Sequence, residues 1–274
     1  MKSSRSDVSS NLPADFAEAF DRAGVGRYGI GSTIHFFPTI GSTNDVALKL
    51  AARGDAHGAV VIADEQTAGR GRRGRAWFSP PGSGLYVSLV LSPARARHDP
   101  ERATMLVTMM AGVALAEGLE TATGLRADIK WPNDLYVARR KLAGILAEAV
   151  PGGETHVVVG YGINASATAF PRELADRATS IETELGRRVD RAALCAETVR
   201  AIARRYDDLL DARFDAILDA WRARAPASRG ARVRWETQAG TQSGLTAGID
   251  DAGALLVDVG GRVERIVGGE VIWW

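Results

Sequence analysis

The hydrophobic residues of this chain follow two patterns, each bounded by glycine or proline. Short β-branched runs at residues 59–63 and 85–92 are typical of buried strands. Apolar positions at helical spacing in residues 101–124 and 190–225 predict helices, and a glycine ends the first of them. The chain before residue 226 is therefore expected to carry both strands and helices.

The pattern changes near the C-terminus. Four short β segments follow one another there, separated by turn signals at residues 251–253 and 260–261. A β module of this size has little core of its own, so we expect it to pack against the larger part of the chain. We assign residues 1–226 to a first domain, of which residues 1–12 are expected to be loose, and residues 227–274 to a small second domain.

A cationic, glycine-rich segment lies between the two strand-like runs, at residues 64–77. It carries four arginines and three glycines, which are Arg70, Arg72, Arg73, Arg75, Gly69, Gly71 and Gly74. Glycine lets the backbone approach a ligand closely, and arginine offers planar, permanently charged donors to phosphate or carboxylate. The segment is therefore predicted to be a mobile loop that holds an anion. Trp77 at its end fits either a core position or a lid over a ligand.

A helix is predicted for residues 41–54, and its start admits two interpretations. Ser42, Thr43 and Asn44 are residue types that commonly cap the N-terminus of a helix. The same hydroxyls and amide also suit a ligand held at a helix N-terminus, where backbone N–H groups point outward. The residues alone leave both interpretations open.

Two lysines frame a hairpin predicted within residues 127–150. A Pro-Asn-Asp turn at residues 132–134 separates two strands, because proline fixes φ and the Asn and Asp side chains bond to their own backbone. Antiparallel pairing places the ends of such strands close together. We therefore expect Lys130 and Lys141 to be neighbours at the rim of a sheet.

Glycines also mark the end of a strand predicted within residues 153–166. Gly160 and Gly162 flank Tyr161 there, and glycine at the end of a strand indicates close approach of another backbone or of a ligand. A lone Gly-x-Gly is weak evidence for a nucleotide site, because a dinucleotide fingerprint needs a third glycine and a following helix.

Composition argues against several classes of protein. The net charge is +1, so the arginine cluster is a local feature and the chain as a whole has no general affinity for nucleic acid. The single cysteine, Cys195, excludes an internal disulfide and is expected to be a buried, inert thiol. Because no apolar run of ~18 residues and no apolar N-terminal signal is present, we expect a cytoplasmic protein without a membrane span.

The residues that carry chemistry indicate catalysis by positioned cations. The four histidines lack metal-ligand spacing, and the sequence has neither a nucleophile motif nor a Walker A loop. Glycine-rich loops with lysines and arginines suit adenylate formation, in which a carboxylate and an α-phosphate repel each other and must be brought together. The arginine loop taken alone also fits an RG-type contact with nucleic acid, although no wider basic face extends it.

Five motifs, in one order, carry a resemblance to a known family. They are GSTN at 41–44, QTAGRGRRGRAWFSP at 66–80, KWPNDL at 130–135, RKLAGILAE at 140–148 and GYGIN at 160–164. Together they resemble the motif series of biotin protein ligases, and GALLVD and GGEV near the C-terminus fit the end domain of that family more loosely. Only about 30 residues precede the first core strand, too few for the helix-turn-helix domain of ligases that act as repressors. We therefore expect the monofunctional form, which binds no DNA.

The resemblance implies a fold and an activity. The implied fold is an α/β domain with a mixed β-sheet backed by helices, similar to the core of class II aminoacyl-tRNA synthetases, followed by a small SH3-like β-barrel. The implied activity joins biotin to ATP, with Mg²⁺, to give biotinyl-5′-adenylate and pyrophosphate. Biotin then passes to one lysine of an apo biotin carboxyl carrier protein, and the ligase is expected to be a monomer or a homodimer.

The family motifs also imply roles for the residues at matching positions. The implied biotin-binding residues are Ser42, Thr43, Asn44, Gln66, Arg70, Gly71, Arg72, Lys141, Gly144 and Gly160. The implied ATP- and adenylate-binding residues are Arg72, Arg75, Trp77, Lys130, Asn133, Asp134, Lys141 and Asn164. Lys141 and Arg72 are the implied catalytic cations. No general base is identified with them, and Mg²⁺ is expected to arrive on the ATP phosphates.

Two other functions stay open. A ligase for lipoate or octanoate shares the fold, although the GRGRRG and KWPNDL strings argue against it. A non-catalytic RG-loop protein that binds nucleic acid is the second alternative. Its affinity would depend on salt, because binding to phosphates releases counterions, and it would release no pyrophosphate.

Overall fold

The computed structural model of the chain describes residues 12–26, 29–54, 56–150, 156–166, 170–237 and 240–273. Its helices are α1 (Ala14–Ala23), α2 (Thr43–Ala51), α3 (Pro100–Thr123), α4 (Ile181–Leu185), α5 (Arg191–Leu210) and α6 (Phe214–Arg224). Its strands are β1 (Ile34–Ile40), β2 (Val60–Gln66), β3 (Gly84–Leu91), β4 (Asp128–Lys130), β5 (Asp134–Val137), β6 (Arg140–Ala149), β7 (Val157–Asn164), β8 (Arg229–Thr237), β9 (Gly240–Ile249), β10 (Leu255–Val259), β11 (Arg262–Ile266) and β12 (Val271–Trp273). Residues 1–11 of the segment expected to be loose lie outside the described residues.

A seven-stranded mixed sheet forms the larger part of the molecule, in the order β1-β2-β3-β7-β6-β5-β4. Strands β1 and β2 are parallel, and the other neighbouring strands pair antiparallel. Strand β3 is buried along its whole length, which explains its continuous apolar run without polar alternation. The α/β fold with a mixed sheet and backing helices is confirmed.

Helices α1, α3, α5 and α6 pack together with this sheet in the main hydrophobic core. Helix α3 is long and apolar enough in composition to cross a membrane, but 72% of its most apolar window is buried inside the molecule. Its composition is therefore that of a core helix. Cys195 of α5 is fully buried as expected, and burial raises the pKa of its thiol to about 12.

Helix α2 packs on the sheet through a separate hydrophobic cluster. Ala47 and Ala51 of α2 lie in one cluster with Val61, Val90 and Val158, which belong to the adjacent strands β2, β3 and β7. Alanine has a small side chain, so the helix can lie close to the strands. This packing holds the N-terminus of α2 against the middle of the sheet.

A second, five-stranded antiparallel sheet follows α6, in the order β11-β10-β9-β8-β12. Val233, Leu255 and Val257 of this sheet belong to the main hydrophobic cluster. Nε1 of Trp131 also donates a hydrogen bond of 2.9 Å to the carbonyl oxygen of Gly253. The small sheet therefore completes its core on the larger part of the chain, and the division into two domains at residue 226 stays a prediction.

Two local features differ from the expectations. The strand predicted to end at Gly160 and Gly162 continues through both, so these glycines lie inside β7. No hydrophobic pattern predicts helix α4, because a helix of five residues is too short to show one. Its start is fixed instead by Ser180, whose hydroxyl accepts a hydrogen bond of 3.2 Å from the backbone N–H of Thr183.

Two glycines of α3 differ in the space around them and offer a matched test of the packing. A Cβ on Gly118 would lie 2.7 Å from Cα of Thr198 and 2.9 Å from the carbonyl oxygen of Glu197, both on α5. A Cβ on Gly112 would meet only side-chain carbons, at 3.7 Å and beyond. Backbone atoms cannot move aside cheaply, so only the first glycine is required by close packing.

We expect Gly118→Ala to lower the free energy of unfolding by about 1–3 kcal/mol, because α3 and α5 must move apart. We expect Gly112→Ala to be neutral or to raise it by up to about 1 kcal/mol, because alanine is the better helix former. Equilibrium unfolding in urea measures both variants against the parent chain. Equal stabilities of the two variants would contradict the close contact between α3 and α5.

Candidate active site

A cleft of about 760 Å³ opens beside the N-terminus of α2. Every site residue predicted from the sequence lines it, namely Ser42, Thr43, Asn44, Gln66, Arg70, Gly71, Arg72, Arg75, Trp77, Lys130, Asn133, Asp134, Lys141, Gly144, Gly160 and Asn164. These residues come from α2, the 64–77 loop and four strands or their ends. The structure therefore brings the predicted residues together around one cavity, while the ligand that each of them contacts stays a prediction.

One part of the cleft is built on a row of paired residues that crosses the sheet. Val61, Ser88, Gly160 and Leu146 lie side by side on neighbouring strands. A Cβ on Gly160 would lie 1.8 Å from Oδ1 of Asn44. The side chain of Asn44 therefore occupies the space that glycine leaves free, and the N-terminus of α2 can reach the sheet only because this position is glycine.

Uncharged polar groups are joined by hydrogen bonds in this part of the cleft. The hydroxyl of Ser88 donates to Oδ1 of Asn44 at 2.6 Å and lies 2.8 Å from Oγ1 of Thr43. Oε1 of Gln66 accepts from the backbone N–H of Thr43 at 2.9 Å, and the Thr43 hydroxyl lies 3.0 Å away. Ser42 stands at the N-cap position, but its side chain makes no capping hydrogen bond. Simple capping by Ser42 is therefore absent, and the interpretation of this segment as a ligand-facing surface stays a prediction.

A second row of paired residues carries the indole ring of Trp77. Gly162 of β7 lies beside Gly144 of β6, which is paired with Asp134 of β5. A Cβ on Gly162 would lie 2.2 Å from Nε1 of Trp77, and one on Gly144 would lie 3.0 Å from its Cζ3 atom. The indole therefore packs directly against the backbone at Gly144 and Gly162, which carry no side chains.

Tyr161 lies between the two glycines of β7 and points to the opposite face of the sheet. Its hydroxyl oxygen is 2.9 Å from Oγ1 of Thr198 in α5. Side chains alternate along a strand, which explains why Gly160 and Gly162 both face the cleft. Protein side chains fill the space over Gly144 and Gly160, so the implied room for the rings of biotin at these glycines stays a prediction.

Cationic side chains line the other part of the cleft, and neighbouring groups hold them. Nζ of Lys141 lies 2.7 Å from Oδ1 of Asp134 and 5.3 Å from the centroid of the Trp77 ring. Arg72 donates to Oδ1 of Asn133 at 3.0 Å. Burial lowers the pKa of Arg72, while the negative charge of Asp134 acts in the opposite direction. Cations fixed in this way can neutralise charge that develops on a phosphate or carboxylate.

The backbone of Lys141 is fixed by a neighbouring segment. Its N–H donates to the carbonyl oxygen of Arg177 at 2.7 Å, and its carbonyl oxygen accepts from the N–H of Thr179 at 2.9 Å. Nδ2 of Asn164 donates to the carbonyl oxygen of Thr179 at 3.0 Å. In the structure Asn164 therefore supports the segment that holds Lys141, and its implied contact with ATP stays a prediction.

Lys130 lies close to two aromatic rings. Its Nζ is 4.7 Å from the centroid of the Tyr136 ring and 5.7 Å from that of the Trp273 ring. Burial lowers the pKa of Lys130, the charge of Asp134 opposes this shift, and the charge of Lys141 adds to it. Burial also raises the pKa of Tyr136 to about 12. The ammonium is therefore partly desolvated, and it attracts an anion more strongly than it would in water.

The 64–77 loop folds back on itself as a tight hairpin. The N–H of Gly71 donates to the carbonyl oxygen of Arg75 at 2.7 Å, and the N–H of Trp77 donates to that of Gly69 at 2.9 Å. Arg73 at the tip has a φ of 58°, in the left-handed region that non-glycine residues rarely adopt. The loop thus has a defined conformation, and its mobility stays a prediction.

Carboxylates from other elements neutralise two arginines of this loop. Arg70 lies 2.8 Å from Asp45 of α2 and 2.7 Å from Glu148 of β6. Arg75 is paired with Glu270, which lies just before β12, and the hydrogen bond from Arg75 lowers the pKa of that carboxyl group. The loop is therefore not a free cationic patch. The implied contacts of Arg70 with biotin and of Arg75 with ATP stay predictions.

Comparison with known proteins agrees with this geometry. A model described as the Biotin/lipoate A/B protein ligase family matches residues 36–164. A biotin–[acetyl-CoA-carboxylase] ligase of Paracoccus denitrificans is 38% identical over 79% of this chain and 90% of its own length. One of Mycobacterium tuberculosis is 34% identical over 85% of each chain. The chain belongs to the biotin protein ligase family.

Further relatives of this biotin protein ligase extend the match. The bifunctional ligase/repressor BirA of Bacillus subtilis is 35% identical over 94% of this chain and 79% of its own length. A biotin protein ligase from Aquifex aeolicus, solved in complex with biotin and ATP, has a TM-score of 0.75 at 26% identity. That structure covers 88% of this chain and 98% of its own chain. The family membership inferred from the five motifs is confirmed.

Several residues that shape the cleft of this ligase are not among the predicted site residues. They are Ser88, Glu148, Gly162, Glu270, Tyr136 and Trp273. Two of them do carry a sequence signal. Gly162 lies two positions from Gly160 and so shares its face of the strand. Ser88 is a polar residue inside an apolar strand, and a buried hydroxyl needs a hydrogen-bond partner.

The lowered pKa of Lys130 can be measured directly. We expect its amine to titrate below the usual range of lysine in the folded ligase, because burial disfavours the ammonium form. Competitive labelling with acetic anhydride between about pH 7 and 11, read by mass spectrometry, gives the inflection for this side chain. In urea the inflection should return to about 10.4, the value of an unperturbed lysine.

The Asp134→Asn variant should move the Lys130 inflection still lower in the folded protein. The aspartate charge favours the ammonium form, so its removal leaves the effect of burial unopposed. An inflection that is the same in folded and unfolded protein would contradict the burial of this amine.

Proposed function

We propose that this biotin protein ligase activates biotin with ATP and then transfers the biotinyl group to one lysine of an apo biotin carboxyl carrier protein. The observation that carries the proposal is the division of one cleft into two parts. Thr43, Asn44 and Gln66 offer uncharged hydrogen-bonding groups in one part, and Lys141 and Arg72 offer cations in the other. Biotin has the matching polarity, with an uncharged ureido ring at one end and a carboxylate at the other.

In the first step, an oxygen of the biotin carboxylate attacks the α-phosphorus of ATP. A carbon–oxygen–phosphorus anhydride forms, the bond from the α-phosphorus to the bridging oxygen breaks, and pyrophosphate leaves. Both reactants are anions, so the main barrier is their repulsion and the charge that builds up at phosphorus. Lys141 and Arg72 are proposed to neutralise that charge, and Trp77 to provide an apolar surface for the adenine ring.

The metal ion that accompanies ATP is proposed to be held mainly by the triphosphate. In the part of the chain that the structure describes, no group of three or more His, Cys, Asp or Glu side chains could hold a metal. Mg²⁺ commonly binds through substrate phosphates and few protein ligands. The ion would screen the triphosphate and assist the departure of pyrophosphate.

In the second step, the amine of the carrier lysine attacks the carbonyl carbon of the adenylate, and AMP leaves with the electrons of the carbon–oxygen bond. The attacking amine must be neutral, because an ammonium ion has no lone pair to donate. Asp134 is a carboxylate in the cleft that could accept its proton. Its 2.7 Å contact with Lys141 favours instead a role in positioning that lysine.

Two alternatives are less well supported. The matching family model covers lipoate ligases as well, but two relatives that match 85% and 79% of this chain are named biotin–[acetyl-CoA-carboxylase] ligases. A non-catalytic nucleic-acid-binding protein needs free cations, whereas Arg70 and Arg75 are paired with carboxylates. The oligomeric state, the cytoplasmic location and the absence of DNA binding stay predictions.

Labelling of a purified apo carrier domain tests the proposed function. The wild-type chain should attach biotin in the presence of ATP and release pyrophosphate, and lipoate in place of biotin should give no product. Lys141→Ala should slow the first step about 10²–10³-fold, by analogy with the removal of one donor from an oxyanion hole.

Lys49→Ala is the matched control for this experiment, because it removes a solvent-exposed lysine of α2. It should label the carrier at the wild-type rate. Absence of labelling by the wild-type chain would contradict the proposed function. Equal labelling by Lys141→Ala and Lys49→Ala would contradict only the role of Lys141.

Alanine substitutions at the two glycines of β7 should weaken the binding of different substrates. Gly160→Ala displaces Asn44, so we expect a raised KM for biotin, whereas Gly162→Ala displaces Trp77, so we expect a raised KM for ATP. Pyrophosphate exchange with each substrate varied in turn measures both constants. The same change in both constants for both variants would contradict the division of the cleft.

A further inference from the structure

Glu148 lies near the end of β6 and does not line the cleft, yet it contacts two residues that do. Its side chain is 24% exposed. Oε2 accepts a hydrogen bond of 2.7 Å from Nδ2 of Asn44 and another of 2.7 Å from Arg70, and Oε1 accepts one of 2.9 Å from Arg70. One carboxylate therefore joins the start of α2 and the start of the arginine hairpin to the sheet.

The contact with Asn44 fixes the orientation of that amide. Ser88 does not decide it, because a hydroxyl can donate to the amide oxygen or accept from the amide NH₂. A carboxylate can only accept, so Glu148 requires the NH₂ group to face it, and the carbonyl oxygen of Leu146 adds a weaker acceptor at 3.4 Å. Oδ1 of Asn44 is then directed to Ser88 and keeps a second lone pair.

The contact with Arg70 fixes the hairpin to the same point. Each of two guanidinium nitrogens donates to one of the two carboxylate oxygens, and such a bidentate pair is stronger than a single charged hydrogen bond. Asp45 of α2 adds a second contact to Arg70 at 2.8 Å, but it is half exposed. The hydrogen bond that fixes the Asn44 amide is donated by Nδ2 of Asn44 to Glu148. Glu148 is thus the carboxylate that couples the hairpin to the uncharged part of the cleft.

We infer that Glu148 is a positioning residue that selects biotin in the first step. It orients Asn44 so that the cleft offers an acceptor to the N–H groups of the ureido ring, and it anchors the hairpin next to that ring. The inference rests on the proposed function, because it assigns the uncharged part of the cleft to the ureido end of biotin. It adds a specificity-determining residue that touches no substrate.

The Glu148→Gln variant tests this with almost no change in size. Whichever way its amide is turned, its NH₂ group faces another donor. That donor is Nη1 of Arg70 if the amide oxygen takes the place of Oε2, and Nδ2 of Asn44 if it takes the place of Oε1. We expect the Kd of biotin, measured by titration calorimetry without ATP, to rise roughly tenfold or more, since a hydrogen bond to a charged group is lost. The KM for ATP should change much less, a split that a general loss of structure would not produce.

The attachment of the arginine hairpin to Glu148 can be measured separately, by proteolysis. Trypsin cleaves after arginine, and the hairpin carries four arginines, so the rate of cleavage at residues 70–75 reports how firmly it is held. We expect faster cleavage in Glu148→Gln. Asp45→Asn removes a contact to Arg70 alone, so it should speed cleavage while leaving the affinity for biotin closer to that of the wild-type chain.

A double variant of Asn44 and Glu148 shows whether a loss of binding comes from misfolding or from the lost contact between these two side chains. In Asn44→Asp the new carboxylate faces Glu148 and is repelled, so biotin binding should be lost. In the double variant Asn44→Asp with Glu148→Gln, the glutamine NH₂ can donate to Asp and its oxygen can accept from Arg70. The double variant should therefore recover most of the affinity that each single variant loses.

The outcomes separate the inference from the proposed function. A wild-type chain that binds no biotin overturns the proposed function. A wild-type chain that binds biotin, with Glu148→Gln binding it equally well, overturns the role of Glu148 and leaves the proposed function intact. A double variant no better than the single ones also overturns the role of Glu148, because only the coupling between the two side chains predicts recovery.

Discussion

The cleft of this ligase depends on a strip of sheet that carries no side chains. Gly160 and Gly162 occupy alternate positions of β7, and Gly144 lies beside the second on β6. Asn44 and Trp77 therefore approach the backbone of the sheet to distances at which any Cβ would collide with them. Glycine weakens a strand, so the sheet gives up local stability here in order to admit these two side chains. Such a local conflict with strand propensity is typical of a functional site.

The same constraint explains why neighbouring groups hold the cations of the cleft. A sheet surface made of glycine offers no side chains for lysine and arginine to pack against, so other groups must hold them in place. Lys141 is held by Asp134, Arg72 by Asn133 and Arg70 by Glu148. Groups fixed in this way need little rearrangement when charge develops on the reacting atoms, which is the main source of electrostatic catalysis. The cost is that an anionic substrate must compete with carboxylates already present.

Local patterns predicted the helices and strands, and the order of the motifs predicted which residues line the cleft. Neither could predict which charged side chains form ion pairs with one another. Arg70 and Glu148 are 78 positions apart, and Arg75 and Glu270 are 195 apart, so no periodicity links them. The position of Gly160 at the end of a strand was wrong for the same reason, because only the register with β6 shows that the strand continues. Five residues of α4 are likewise too few for a helical pattern.

The two parts of the cleft are held with different strength, and this difference has a consequence for the reaction. The hydrogen bonds of Asn44 and Ser88 are buried, where a missing partner is costly. Arg75 is 67% exposed and its partner Glu270 is 40% exposed, and ion pairs of this kind contribute only about 0.2–1 kcal/mol. The tip of the hairpin can therefore separate from the small sheet at little cost while the uncharged part of the cleft keeps its shape. An enzyme that must admit two substrates and then shield an adenylate from water needs this combination of a fixed part and a releasable one.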